Sequence, residues 1–181
     1  MSKKRSITAE FEIVTPMFLG GADHHATRIR ESSIKGALVF WWRALNYARY
    51  VQMAQDSHAA ALGAMQADEQ RLFGGPDGQG VFLLRVTGPE LDTALASGIL
   101  ADGQLTYFGY GLVDQNNNKD PKGFLRGQNF TLTLMFARRT RPADIEQIEK
   151  AVRVFGLLGG LGSRSRRGWG SVSLSELSAE G

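Results

Sequence analysis

The chain has 181 residues, 43% of them hydrophobic, with 21 lysines and arginines against 18 aspartates and glutamates for a formal net charge of +3. That apolar content supports a packed core and excludes global disorder, and the length suits one domain carrying insertions. The absence of cysteine excludes disulfides and thiolate metal sites and makes the cytoplasm the expected compartment.

The first element is SITAEFEIV, which alternates strictly. Ile7, Ala9, Phe11 and Ile13 fall on one face and Thr8, Glu10 and Glu12 on the other, the pattern of a half-buried strand. Before it, MSKKRS is charged with no apolar stretch, so it does not read as a signal peptide. Pro16, Gly20 and Gly21 then break regular structure through TPMFLGGADHHATRIRES, a basic segment too long for a plain connector.

SIKGALVFWWRALNYARYVQ follows as a helix, capped by Ser32 or Ser33. Its expected apolar stripe is Ile34, Leu38, Trp41, Leu45 and Ala48, with Lys35, Trp42, Asn46 and Arg49 on a neighbouring one. A second helix over about 56–72 ends at LFGG, where Gly74 suits a left-handed cap. GVFLLRVTG and QLTYFGYGL read as strands, and 112–128 as an exposed loop. QNFTLTLMFAR returns to clean alternation, Phe130, Leu132, Leu134 and Phe136 against Thr131, Thr133 and Met135. After Pro142, ADIEQIEKAVRVFGLLGG is an amphipathic helix through Ile145, Ile148, Val152 and Phe155, and WGSVSLSEL is the last strand. No apolar run approaches the ~18 residues of a membrane span.

With 91–113 set aside as an insertion, the order is β-α-β-β-α-β. That predicts one α+β domain over 1–181, of the split-βαβ, ferredoxin-like class.

The most unusual stretch lies between the last helix and the last strand. GGLGSRSRRGWGSV (159–172) sets Gly159, Gly160, Gly162, Gly168 and Gly170 among Ser163, Arg164, Ser165, Arg166, Arg167 and Trp169. It is not a Walker loop: it has no Gly-Lys-Ser/Thr, and it leaves a helix for a strand rather than the reverse. A dinucleotide fingerprint fails on the same order. A solvated turn needs fewer glycines. Bare amides, serine hydroxyls and guanidinium forks suit phosphate oxygens, and Trp169 would offer a stacking face to an unpaired base. The other basic clusters, Lys3 to Arg5, Arg28 with Arg30, and Arg138, Arg139 and Arg141, point the same way, to a polyanion-binding face on a near-neutral chain.

Three stretches together, TPMFLGGADHHATRIRESSIKGALVFWWRAL (15–45), LFGG (72–75) and GLGSRSRRGWGSV (160–172), resemble the RAMP superfamily of CRISPR effector complexes. Within it the similarity is to the type III-B (Cmr) subunit capping the end that bears the 3′ part of the guide RNA. The resemblance implies a ferredoxin-like fold whose glycine-rich loop and first-helix N-terminus touch RNA. On this chain those positions are Arg28, Arg30, Ser33, Lys35 and Gly36, then Gly160, Gly162, Ser163, Arg164, Ser165, Arg166 and Arg167. It also implies guide RNA or a guide–target duplex and other RAMP or Cas subunits as partners, with no cofactor and no membrane. The usual member carries two tandem ferredoxin-like units and this chain has room for one. It is a single-unit variant, or half of a pair completed by another subunit or a second copy.

Some relatives are histidine-dependent endoribonucleases, which makes His24 and His25 the catalytic candidates. Adjacent side chains point apart and no motif places a second proton-transfer group, so a non-catalytic subunit is expected. Asp23 beside them forms no metal-ligand spacing, while Asp114 and Asp120 read as turn residues. His58 reads as a helix-surface residue, and Tyr107, Phe108 and Tyr110 as half core on a strand, with an aromatic platform for RNA as the alternative. The third reading is a scaffold, its glycine loop packed on a neighbouring protein.

Overall fold

A computed structural model describes residues 5–19, 28–55, 57–76, 78–101, 103–112 and 121–180. In chain order the elements are β1 (Ser6–Ile13), α1 (Glu31–Met53), α2 (His58–Phe73), β2 (Gly74–Gly75), β3 (Gly78–Gln79), β4 (Phe82–Thr87) and β5 (Thr93–Leu95). They continue with α3 (Ala96–Ile99), α4 (Gly103–Phe108), β6 (Lys122–Phe124), β7 (Asn129–Phe136), α5 (Pro142–Leu158), a 3-10 turn (Ser165–Arg167) and β8 (Val172–Glu180).

The main sheet is antiparallel in the order β4-β7-β1-β8, with α1 and α5 packed on one face. This is the ferredoxin-like split-βαβ arrangement. Alternation sets the faces. Ile7, Ala9, Phe11 and Ile13 of β1 and Phe130, Leu132, Leu134 and Phe136 of β7 are all buried beneath the helices. Phe11 stacks on Phe130 at 5.3 Å between ring centroids and lies tilted against Phe155 of α5 at 5.2 Å, pinning sheet to helix. β8 carries one extra residue: Glu10 faces Glu176 while Phe11 faces Leu174. The intervening Ser175 donates its hydroxyl to the Glu10 carbonyl at 3.0 Å, a bulge that re-aims the strand as it leaves the glycine–arginine loop.

Several expectations are corrected here. The N-cap of α1 is Arg30, so Ser32 and Ser33 sit inside the first turn and cap nothing. The buried stripe of α1 is Ile34, Leu38, Trp42 and Tyr50, and Leu45 is exposed. The stripe turns because α1 is covered on two sides, by α2 as well as by α5 and the sheet. Trp42 is fully buried between Tyr50 and Phe73, with its Nε1–H donating to Gln147 Oε1 at 3.1 Å. Trp41 is half-buried and edges onto Phe40. Gly74 has a positive φ of 84° but ψ 152°, so it swings the chain into β2 rather than forming a left-handed cap.

QLTYFGYGL is not a strand. Its first part lies in α4 and its glycines terminate the turn that follows. Residues 113–120 of the expected 112–128 loop lie outside the described residues, but Lys122–Phe124 is a strand paired with β5, and Phe124 is buried. The insertion thus builds a small satellite layer of β5, α3, α4 and β6 with its own apolar cluster, Phe18, Ala96, Leu100 and Trp169.

One polar network ties the helices together. Asp144 at the start of α5 is buried and accepts paired bonds from Arg141 (2.9 and 2.9 Å) and Arg71 of α2 (2.8 and 3.2 Å). Arg71 also holds Asp68, which accepts the Tyr50 hydroxyl at 2.6 Å. Burial alone would raise both carboxyls. The donated hydrogen bonds outweigh it, and both lie below the usual carboxylate range. Among the described residues, no helix is long and apolar enough to cross a membrane.

Candidate nucleic-acid interface

The glycine–arginine loop is bolted to the segment that follows β1. Val14 N–H donates to the Ser171 carbonyl (2.9 Å), Gly170 N–H to the Pro16 carbonyl (2.9 Å) and Ser163 N–H to the Phe18 carbonyl (2.8 Å). The loop closes on itself through Leu161 N–H to the Gly170 carbonyl at 2.9 Å. On its other side the same segment pairs with β6, Met17 and Phe124 exchanging both backbone bonds. Two glycines make this approach possible. At Gly162 (φ 85°) a Cβ would overlap the Phe18 carbonyl, and at Gly170 (φ 64°) the Leu161 carbonyl. These glycines therefore serve close contact with the chain's own backbone.

The arginines behave otherwise. Arg164, Arg166 and Arg167 are all exposed, on and just before the 3-10 turn. Arg164 is left-handed at φ 60°, a conformation that costs a non-glycine residue roughly 1–2 kcal/mol. Its Nη2 lies 2.7 Å from where a Cβ on Gly111 would sit, so the side chain leans onto the turn after α4. The helix arginines Arg43, Arg71 and Arg153 are paired with Glu69, with Asp68 and Asp144, and with Glu149; Arg141, the N-cap of α5, also holds Asp144. None of the three loop arginines has a carboxylate partner among the described residues. Arg141, counted with the basic clusters, is thus committed to the fold.

Trp169 is a correction. Its ring is only 4% exposed and meets Phe18 edge-on at 5.5 Å, so it fills the satellite core rather than presenting a face to a base. Its Nε1–H is buried with no acceptor among the described residues.

The remaining predicted contacts are spread over separate clefts. Arg28 lines one with Glu31, Gly88 and Phe130, and Lys35 another beside the Gly74–Gly80 hairpin. Arg30 is exposed at the α1 cap, Ser33 half-buried, and Gly36 lies on an open helix surface where a Cβ would touch nothing. Gly160 bridges Ser171, and Ser163 and Ser165 flank Arg164. Asp23, His24 and His25 lie outside the described residues, as do Asp114 and Asp120. His58 is at the helix surface, hydrogen-bonded to the Tyr47 hydroxyl at 2.9 Å.

Three features escaped the sequence. Thr15 pins the loop, its hydroxyl donating to the Gly168 carbonyl at 2.6 Å and accepting from Ser171 N–H at 2.9 Å. Arg126 borders the same cleft as Arg167. Tyr107, Phe108 and Tyr110 are exposed on and after α4, Tyr107 by 80%, rather than half core. Thr15 left a trace as the hydroxyl residue before Pro16, and the aromatic trio as the alternative of an RNA platform. The open face of the sheet carries Thr8, Glu10 and Glu12 beside Thr131 and Thr133. Glu10 and Glu12 bring carboxylates and no aromatic ring to this face, the wrong chemistry for stacking bases, whereas the arginine turn sets three exposed guanidiniums without carboxylate partners among the described residues close together.

A profile of the RAMP superfamily matches residues 10–173. The chain belongs to the RAMP superfamily. Among its relatives, the Cmr subunit Cmr1-2 of Pyrococcus furiosus is 23% identical over 177 residues, covering 93% of this chain and 94% of that protein. The crystal structure of Cmr1 from Pyrococcus furiosus superposes with a TM-score of 0.71 at 22% identity, over 97% of this chain and 50% of that one. A chain of the type III-B Cmr-beta complex bound to cognate target RNA gives a TM-score of 0.65 at 15% identity, over 99% and 55%. This RAMP chain therefore spans about half the length of those solved chains and nearly all of Cmr1-2.

Proposed function

We propose that this chain is a non-catalytic, RNA-binding subunit of a type III-B (Cmr) CRISPR effector complex. The observation that carries the reading is the contrast among arginines. Arg43, Arg71 and Arg153 on the helices are spent on carboxylates, while Arg164, Arg166 and Arg167 stand exposed, without a carboxylate partner among the described residues, on a turn braced by backbone bonds. A braced turn holds its cations in place before the ligand arrives, which lowers the ordering cost of binding. Guanidinium forks on such a turn suit phosphates of a guide RNA or guide–target duplex and leave sequence to base pairing. The likeness to Cmr1-2 over nearly its whole length favours the same complex.

Neighbouring subunits are the second part of the reading. Leu157 and Leu158, directly before the loop, are both about three-quarters exposed, an apolar step that a flanking protein would cover. The test is purification of the tagged protein from its host, with sequencing of bound RNA and mass spectrometry of partners. Guide RNA and Cmr-type subunits are expected, and the purified chain leaves repeat RNA uncut in the absence of metal. Cleavage abolished by His24→Ala or His25→Ala would make it a nuclease. RNA-free assembly indifferent to the arginines would make it a scaffold.

A further inference from the structure

We propose that the cleft between the arginine turn and α4 holds one unstacked nucleobase of a single-stranded RNA, with the flanking phosphates on Arg126 and Arg167. This rests on the RNA-binding reading above and adds to it a subsite for a base.

The cleft has a volume of 520 Å³, within the range of small-ligand sites. Its walls are apolar, formed by Val14, Ile99, Leu105 and Phe108, and Phe108 is half-exposed. Arg126 and Arg167 border it from two different loops, both exposed and neither paired with a carboxylate among the described residues. Trp169, buried in the satellite core, forms part of the floor. The Arg164 side chain lying against Gly111 keeps α4 beside the arginine turn.

The chemistry of the lining selects the occupant. A bare phosphate has no use for four apolar side chains. An apolar peptide side chain has no use for two unpaired guanidiniums. A nucleotide presents a flat ring and an anion one linkage apart, which matches both halves of the cleft. A splayed-out base held against an aromatic ring is also how single strands are gripped without reading a duplex groove.

The test compares a short single-stranded RNA with an abasic ribose-phosphate oligomer of the same length, by fluorescence anisotropy, on the full chain. Phe108→Ala should weaken RNA binding by roughly five- to a hundredfold and leave the abasic oligomer unaffected. Phe108→Tyr should bind both as the wild type does. Should Phe108→Ala lower the thermal midpoint, Phe108→Leu, which keeps apolar bulk and loses the ring, carries the same comparison. Unchanged RNA binding by Phe108→Ala, or equal weakening for both oligomers, overturns the base subsite. In either case loss of binding in the Arg164, Arg166 and Arg167 triple-alanine variant would leave the phosphate reading standing. Loss of a protein partner from Phe108→Ala with RNA affinity intact overturns the subsite in favour of a protein contact. No binding of either oligomer by the wild type brings down both readings together.

Discussion

Thr15 and Gly168 are 153 positions apart and joined by a 2.6 Å hydrogen bond, the threonine hydroxyl donating to the glycine carbonyl just after the arginine turn. The same oxygen accepts from Ser171 N–H at 2.9 Å. One small side chain thus fixes the C-terminal end of the turn to the segment leaving β1. Thr15→Val keeps the shape and removes both bonds. Because the site is partly open to water, the expected loss is about 0.5–1.5 kcal/mol of stability, read by thermal melting. RNA affinity should fall further than that, through loosened arginines, and an unchanged affinity would mean the brace is not what orders them.

The two adjacent tryptophans of α1 should separate cleanly. Trp42 is fully buried with its indole N–H satisfied by Gln147, whereas Trp41 is half-buried. Trp42→Ala should cost about 3–5 kcal/mol. Trp41→Ala should cost clearly less, and chemical denaturation of both variants decides the order.

That pair also marks how far sequence reading reaches. β1 and β7 were legible residue by residue, because one face is core and the other solvent, and a period of two has no other explanation. α1 was legible as a helix but not in its rotation. Its apolar stripe is broad, and only the position of α2 decides between Trp41 and Trp42. QLTYFGYGL failed because aromatic residues favour strands in general, while here Gly109 and Gly111 end a short helix exposed on the satellite layer. The arginine turn was legible as chemistry. Its bracing was not, since Thr15 meets it through its hydroxyl and Pro16 and Phe18 through their carbonyls, all across long stretches of sequence. The burial of Trp169 was equally hidden, because its partners Phe18, Ala96 and Leu100 come from distant segments.

The Asp144 network predicts an acid limb. Burial acts to raise the Asp144 and Asp68 carboxyls, but the bonds from Arg141 and Arg71 to Asp144, and from Tyr50 and Arg71 to Asp68, hold both below the usual value of 3.8. On acidification the unfolded chain takes up protons first, so stability is full above about pH 4 and is lost below it. At the other end, burial and the bond to Asp68 push the Tyr50 hydroxyl up to about 12 from 10.0, so stability falls again as the pH rises past the unfolded value. Asp144→Asn should flatten the acid limb of a pH–melting profile. An acid limb of unchanged steepness would show that the carboxyl is not its source.

Arg164 holds a left-handed backbone that glycine would adopt freely. Arg164→Gly should therefore leave stability unchanged or raise it by up to about 1 kcal/mol, while weakening RNA binding. A stabilised variant with undiminished affinity would mean that the Arg164 side chain does not contact RNA.

The central claim is that three unpaired guanidiniums grip phosphates, and its most direct measurement is the salt dependence of binding to single-stranded RNA. Each neutralised phosphate contributes about −0.7 to the slope of log affinity against log salt, so the three contribute roughly −2. A folded triple-alanine variant of Arg164, Arg166 and Arg167 should lose about that much slope and bind unrelated RNA sequences more weakly by a similar factor. A folded triple variant that keeps wild-type affinity and slope would contradict the account and hand the arginine turn to a protein neighbour.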